Sequence, residues 1–159
     1  ITQPSMDTLT PTYKEPNARV SWETLHAQIG SVKSNISFKE LSEAKSENIF
    51  VLNTHRQIVF ITRSCLDIFG IEDPAVAYAC RPGEMMQCYH AQANGCGESD
   101  ACKLCGAFQA ALACLQHNTG SQRFHLKQKD SRKTIHFTVH TEAITLKGEL
   151  FMMISLIKE

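Results

Sequence analysis

Behind Ser21 the apolar residues Trp22, Leu25, Ile29 and Val32 recur at steps of three and four. With a hydroxyl side chain placed to cap the first turn, this predicts a short amphipathic helix over 21–36. Ser37 and Glu40 have the spacing of a capping box, which predicts a second short helix through Phe38 and Leu41. From Asn48 the period changes. Ile49–Leu52 and Ile58–Ile61 are β-rich runs, and residues 53–57 between them predict a hairpin. Residues 65–69 predict one helical turn closed by Gly70, and Asp73 before Pro74 opens another. Pro82-Gly83 interrupts that helix, and residues 84–91 predict one more. The longest helical pattern starts near Ser99 or Asp100 and runs to about His117. Leu104, Phe108, Ala111, Leu112 and Leu115 form its stripe, and residues 118–120 end it. Three strands follow. Phe124 and Leu126 alternate with polar neighbours, as do Ile135, Phe137 and Val139, and the nearly continuous apolar run 150–157 predicts a central strand covered on both faces. Asp130-Ser131 and Lys147-Gly148 supply the turns.

This order predicts an α+β fold, a five-stranded antiparallel sheet with the helices gathered on one face. A chain of 159 residues can hide roughly 68–70% of its unfolded surface around one core. Its 43% hydrophobic and 20% charged residues are those of a globular protein. Lysine plus arginine and aspartate plus glutamate are 16 each, so no broad basic face for nucleic acid is expected. No apolar run approaches the roughly 20 residues of a membrane span, and no signal-peptide pattern is seen. Residues 1–20, rich in Pro, Ser, Thr and Asn, predict a flexible arm or linker, and a first residue of Ile1 fits a piece of something longer. Seven cysteines, an odd number, fit a reducing, cytoplasmic setting, with three disulfides and one free thiol as the alternative.

The chemistry concentrates in one stretch. Cys88, Cys96, Cys102 and Cys105 stand in the spacing C-x7-C-x5-C-x2-C, where chance would place about one cysteine. Four thiolates can satisfy a soft metal of tetrahedral preference, either zinc or the irons of an iron–sulfur cluster. On a helix Cys102 and Cys105 lie about 60° apart, with Cys102 in the first turns, where the dipole favours a thiolate. Gly95 and Gly97 free the backbone around Cys96, and Cys88 arrives from the preceding short helix. The four sulfurs are expected to converge beside the long helix's N-terminus; scattered free thiols or disulfides are the alternative. Zinc would staple the loop. A cluster would add redox or gas chemistry, although the C-x2-C-x2-C run of bacterial ferredoxins is absent.

Other residues read more plainly. His90 is expected to face solvent, with a substitute-ligand role as the alternative, and Cys80 to be a small, partly exposed side chain. Cys65, Cys114, Met85, Met86, Met152 and Met153 should pack. His136 and His140 share a strand face, with His125 opposite, as polar positions on an open sheet. The basic cluster from Lys127 to Lys133 should be a solvated edge. Trp22 and its stripe can cover the domain or pair with a partner helix. No nucleophile–base pair, phosphate loop or carboxylate pair appears, so no enzyme is expected; a thiol oxidoreductase using Cys102 and Cys105 lacks the βαβ surroundings.

The element order resembles the PAS domain. Arg81-Pro82-Gly83-Glu84, Cys88, Gly95-Cys96-Gly97 and Cys102 through Cys105-Gly106 are similar to a cysteine-rich PAS subfamily of bacterial sensor kinases and related signalling proteins, as is the hairpin stretch 53–60. The resemblance spans about 37–159 and divides the chain into an arm (1–20), an N-terminal helix (21–36) and a PAS domain (37–159) with a cysteine-rich insert at 80–106. It implies strand order 2-1-5-4-3, a ligand or cofactor between sheet and long helix, a homodimer built on the N-terminal helix, and a signal passed from the last strand to an output domain or partner protein. It implies a sensor of redox state or a diatomic gas whose Cys88, Cys96, Cys102 and Cys105 hold an iron–sulfur cluster, slightly preferred, or zinc. A structural zinc-bound or metal-free PAS module for protein–protein interaction is the alternative. Two departures stand out. Cys80 precedes Arg81 where a small residue such as glycine is expected, and the chain ends at Glu159, near where an output linker would begin.

Overall fold

The computed structural model describes residues 19–42, 47–91, 96, 102, 105–129 and 133–159. The arm through residue 18, the helix start at Ser99 or Asp100, Leu104, the glycines flanking Cys96 and the turn at Asp130-Ser131 lie outside the described residues.

Five strands form one antiparallel sheet: β1 (Ile49–Leu52), β2 (Ile58–Ile61), β3 (Thr119–Lys127), β4 (Thr134–Leu146) and β5 (Glu149–Lys158), in spatial order β2-β1-β5-β4-β3. The nearly unbroken apolar run becomes β5, which lies between β1 and β4. Its Met152, Ile154 and Leu156 enter one core while Phe151 enters another, so both faces are covered there. Lys147 and Gly148 both take positive φ (50° and 79°), the backbone that a two-residue hairpin requires between β4 and β5.

The helices are α1 (Trp22–Lys33), α2 (Ile36–Ser42), α3 (Arg63–Ile68), α4 (Pro82–Met85) and α5 (Gly106–His117). They do not all gather on one face, as the pattern predicts. The inner face carries α5, α3 and α4, with Phe50, Leu66, Met86, Ala111, Phe124 and Phe137 in its core. On the outer face α1 and α2 pack Leu25, Val32 and Phe38 against Val51, Phe60 and Phe151. β1 exposes alternate residues to both faces, so two layers are needed to cover it.

Local differences have local causes. Ser21 caps α1, accepting from the Thr24 N–H at 3.2 Å, but Trp22 leaves the stripe: it is 63% exposed, while the polar Gln28 is buried. The second helix is capped by Asn35, whose Oδ1 accepts from Ser37 N–H at 3.0 Å, in place of the expected Ser37–Glu40 box. Pro82 opens α4 where the pattern has it interrupting a helix, because its fixed φ suits the first helical position and Glu84 reaches back to the Arg81 N–H. The residues after it continue only as the 3-10 turn Tyr89–Ala91. The long helix begins at Gly106, later than the pattern suggests, and Asn118 ends it in the left-handed conformation (φ 70°).

Candidate functional site

Three separate segments bring the four cysteines to one cavity of about 420 Å³ between α5 and the inner face of the sheet. Its interior is apolar, with Phe50, Leu52, Met86, Phe108, Ile154 and Leu156 among the lining side chains. Cys88, Cys96, Cys102 and Cys105 all line it.

Each cysteine is held by its backbone. Cys88 donates its N–H to the Gly83 carbonyl at 2.7 Å and pairs with Gln128 at the end of β3. Cys96 donates its N–H to Glu84 Oε2 at 3.4 Å, and its carbonyl accepts from Arg56 Nη1 at 3.3 Å. Cys102 accepts from the Cys105 N–H at 3.1 Å. Cys105 is the N-cap of α5, with extended backbone. Cys102 and Cys105 therefore precede the long helix, a correction to their expected place on its first turns.

Burial dominates the electrostatics. It pushes the Cys96 thiol up to about 12, against the pull of the Arg56 guanidinium, while Cys102 and Cys105 reinforce the rise. It also raises Cys105, which the N–H groups of Phe108 and Ala107 pull partly back and Cys102 and Cys88 push further. Cys88 is raised by burial, opposed by the His90 N–H and aided by Cys102. The cysteines thus feel one another's charge across the cavity, and as free thiols Cys88, Cys96 and Cys105 are biased toward the protonated form. Among the described residues, no three His, Cys, Asp or Glu side chains converge closely enough to hold one metal ion.

Gly83 lies against two of these cysteines. A β-carbon there would lie 2.9 Å from Cys96 Sγ and 3.4 Å from Cys88 Cβ, so only glycine lets both cysteines approach α4. Two residues of the stretches that carry the resemblance turn out to contact Cys96, which their place in the sequence does not announce. Arg56 lies in the β1–β2 turn, where a charged residue ordinarily faces water, yet it is 3% exposed with its guanidinium 5.0 Å over the Phe108 ring. Glu84 is lifted by burial, but the hydrogen bonds from Arg19 and from the N–H groups of Arg81 and Cys96 more than offset this and hold its carboxyl below the usual range. The proximity of Arg56 and Glu84 to Cys96 arises only on folding; neither spacing announces it.

The remaining candidates fall mostly where expected. His90 is exposed and stacks edge-on to Tyr89. His125 is opposite His136 on the neighbouring strand, as expected: the register makes the two cross-strand partners with ring centroids 4.3 Å apart. Cys80 is partly exposed, its Sγ donating to the Val76 carbonyl at 3.4 Å. Cys65 and Cys114 are core residues. Burial pushes the Cys65 thiol up to about 12, which leaves on the order of one thiolate in ten thousand at pH 8. Iodoacetamide at that pH is expected to leave Cys65 unmodified in the native protein and to label it after urea unfolding, read by peptide mass spectrometry. Native labelling of Cys65 would contradict this packing.

No protein-family model matches the chain, and no curated protein matches it. Solved structures do. A PAS domain from a two-component sensor histidine kinase aligns with a TM-score of 0.51 at 8% identity, covering 82% of this chain and 99% of that one. The PAS domain of an HTR-like protein from Haloarcula marismortui aligns at 0.52 with 16% identity, covering 77% and 95%. The PAS domain of nitrogen regulation protein NR(II) from Vibrio parahaemolyticus aligns at 0.51 with 11% identity, covering 79% and 100%. At these identities the likeness is one of fold, and the fold is that of PAS domains. No helix among the described residues is long and apolar enough to cross a membrane.

Proposed function

We propose that this chain is a non-enzymatic sensory module of a bacterial signalling protein, whose cysteines hold an iron–sulfur cluster at the cavity and report redox state or a diatomic gas. The observation that carries this reading is that Cys88, Cys96, Cys102 and Cys105, from three separate segments, line one cavity. A single zinc asks for four sulfurs about 2.3 Å from one point. The described residues bring no three ligands to such a point. A cluster spreads its thiolates over several irons, so four cysteines lining one larger cavity suit it better. When bound, it would supply one-electron or gas-reactive chemistry. The chain's own contributions are the four ligands, the room left by Gly83, the positive charge of Arg56 beside Cys96, and the apolar side chains, Phe108 among them, that line the cavity. The same reading includes residues 37–159 as the sensory domain, a cytoplasmic setting, an output domain or partner protein, and a homodimer.

The test is anaerobic purification and reconstitution with iron and sulfide, followed by absorption spectroscopy and metal analysis. The expected protein is coloured and holds iron and sulfide that Cys88→Ser and Cys102→Ser variants fail to retain. A colourless, iron-free product overturns the cluster. A second reading has its own support: the apolar cavity, with no ligand group gathered for one ion among the described residues, also suits a metal-free module for a small apolar ligand or for protein–protein interaction. Its sign is a native fold unaffected by chelator and an organic ligand recovered from the purified protein. Stoichiometric zinc, with unfolding on chelation, would instead mark a structural zinc module.

A further inference from the structure

The two backbone groups of Cys96 are both tied to residues that hold the N-terminal segment. On one side the Cys96 N–H donates to Glu84 Oε2 (3.4 Å), and that carboxylate receives both ends of the Arg19 guanidinium, at 2.6 Å and 3.2 Å. Arg19 also donates to the Ala79 carbonyl at 3.3 Å. On the other side the Cys96 carbonyl accepts from Arg56, which belongs to the β1–β2 turn. That turn is closed by Asn53, whose Oδ1 accepts from the N–H groups of His55 and Gln57 at 2.9 and 3.0 Å. Gln57 Oε1 then accepts from the Val20 N–H at 3.0 Å, and Asn53 Nδ2 donates to Gln28 Oε1 at 2.9 Å. Gln28 in turn donates to Glu149 Oε2 at 2.6 Å. Gln28, Asn53 and Gln57 are at most 4% exposed, so these bonds lie where water competes poorly.

We infer that residues 19–28 are a lever held to the Cys96 loop by two polar clasps, so that a change of state at the cysteines changes the docking of α1. The first clasp is Cys96–Glu84–Arg19, and the second is Cys96–Arg56–turn–Gln57/Asn53–Val20/Gln28. Both converge on one peptide unit neighbourhood, so anything that moves Cys96 disturbs both. The lever itself is weakly anchored by packing. Of the twelve residues of α1, which the lever enters, only Leu25, Gln28 and Val32 are buried. A helix of that length has little stability of its own and depends on its docking contacts. Undocking it would uncover the outer-face residues Val51, Phe60 and Phe151, an apolar surface suited to a partner. The inference deepens the sensory reading and rests on it only for the nature of the stimulus.

Coupling is reciprocal, so it can be tested from either end on the full chain without any cofactor. Arg19 is partly exposed and lies far in sequence from all four cysteines of the cavity. Arg19→Gln is expected to speed alkylation of Cys96 about fivefold or more, while Cys65 and Cys114 stay unlabelled. An ordinary surface ion pair would leave Cys96 at its native rate, and that result overturns the inference. From the other end, Gly83→Ala pushes on Cys96 without touching α1. It is expected to raise hydrogen–deuterium exchange of the α1 amides by a similar factor while β3 and β4 keep their protection. Unchanged α1 exchange overturns the inference. Should Gly83→Ala fail to fold, Glu84→Gln keeps the side-chain shape and gives the same readouts with the same decision. Failure to take up iron would remove the cluster but leave both measurements standing, so the two ideas fail separately.

Discussion

Gly106→Ala is expected to destabilise the folded protein severely. Residue 106 opens α5 with its backbone against β3: a β-carbon would lie 1.9 Å from the Arg123 carbonyl oxygen and 3.0 Å from its carbon. The obstacle is backbone in the middle of a paired strand, with Arg123 opposite Thr138, so it cannot rotate away as a side chain would. Either α5 shifts outward or β3 bends, and each option loosens the buried Phe108 and Ala111. A cost on the order of 3 kcal/mol or more follows, at the upper end for overpacking. Against a typical stability of about 5–15 kcal/mol this is a large fraction. Urea unfolding followed by far-UV circular dichroism reads the loss. The comparison is Gly30→Ala on α1, where no atom stands within 4 Å of the added carbon, and stability should hold or rise. A Gly106→Ala protein as stable as the parent would refute the close approach of α5 to β3.

Phe137→Ala should cost about 3–5 kcal/mol, the range for a large aromatic removed from a core. Phe137 has no exposed surface and packs between Phe124, ring centroids 6.2 Å apart, and Phe69, at 6.0 Å. It lies in β4, so neighbours on both strands and on α3's end are fixed by hydrogen bonds and cannot close the gap. Ile157→Ala, on the adjacent strand but 60% exposed, should change stability by only about 0.5 kcal/mol. Thermal melts of the two variants side by side give the contrast. Equal effects would mean that the assigned faces of β4 and β5 are wrong.

Much of the fold is legible in residue patterning. The alternation of Phe124, Leu126, Ile135, Phe137 and Val139 marks β3 and β4, and the unbroken run in β5 marks a strand enclosed on two sides. These patterns survive because burial on a pleated sheet imposes a period of two that few other arrangements share. Helix boundaries are less legible. The apparent helix start ahead of Cys102 is not among the described elements, and α5 opens at Gly106, whose backbone lies close against the Arg123 carbonyl. Similarly, Trp22 falls at a stripe position yet faces solvent, and Gln28 takes the buried place because Asn53 and Glu149 satisfy its amide.

The cysteines were visible as a cluster from spacing alone, and folding does bring all four to one cavity. That no three ligands among the described residues gather at one point is not legible there. Nor are Arg56, Glu84 and Gly83, since each matters through neighbours 12 to 40 positions away.

By itself the amino-acid order determines the α+β class, the strand sequence and the concentration of thiols between two helices, because local periodicity and spacing are properties of the chain. The tertiary structure alone decides which face each helix covers, where α5 begins, and how Cys96 is joined to the N-terminal segment. Those depend on contacts between distant residues, whose energies exist only once the backbone has closed around them.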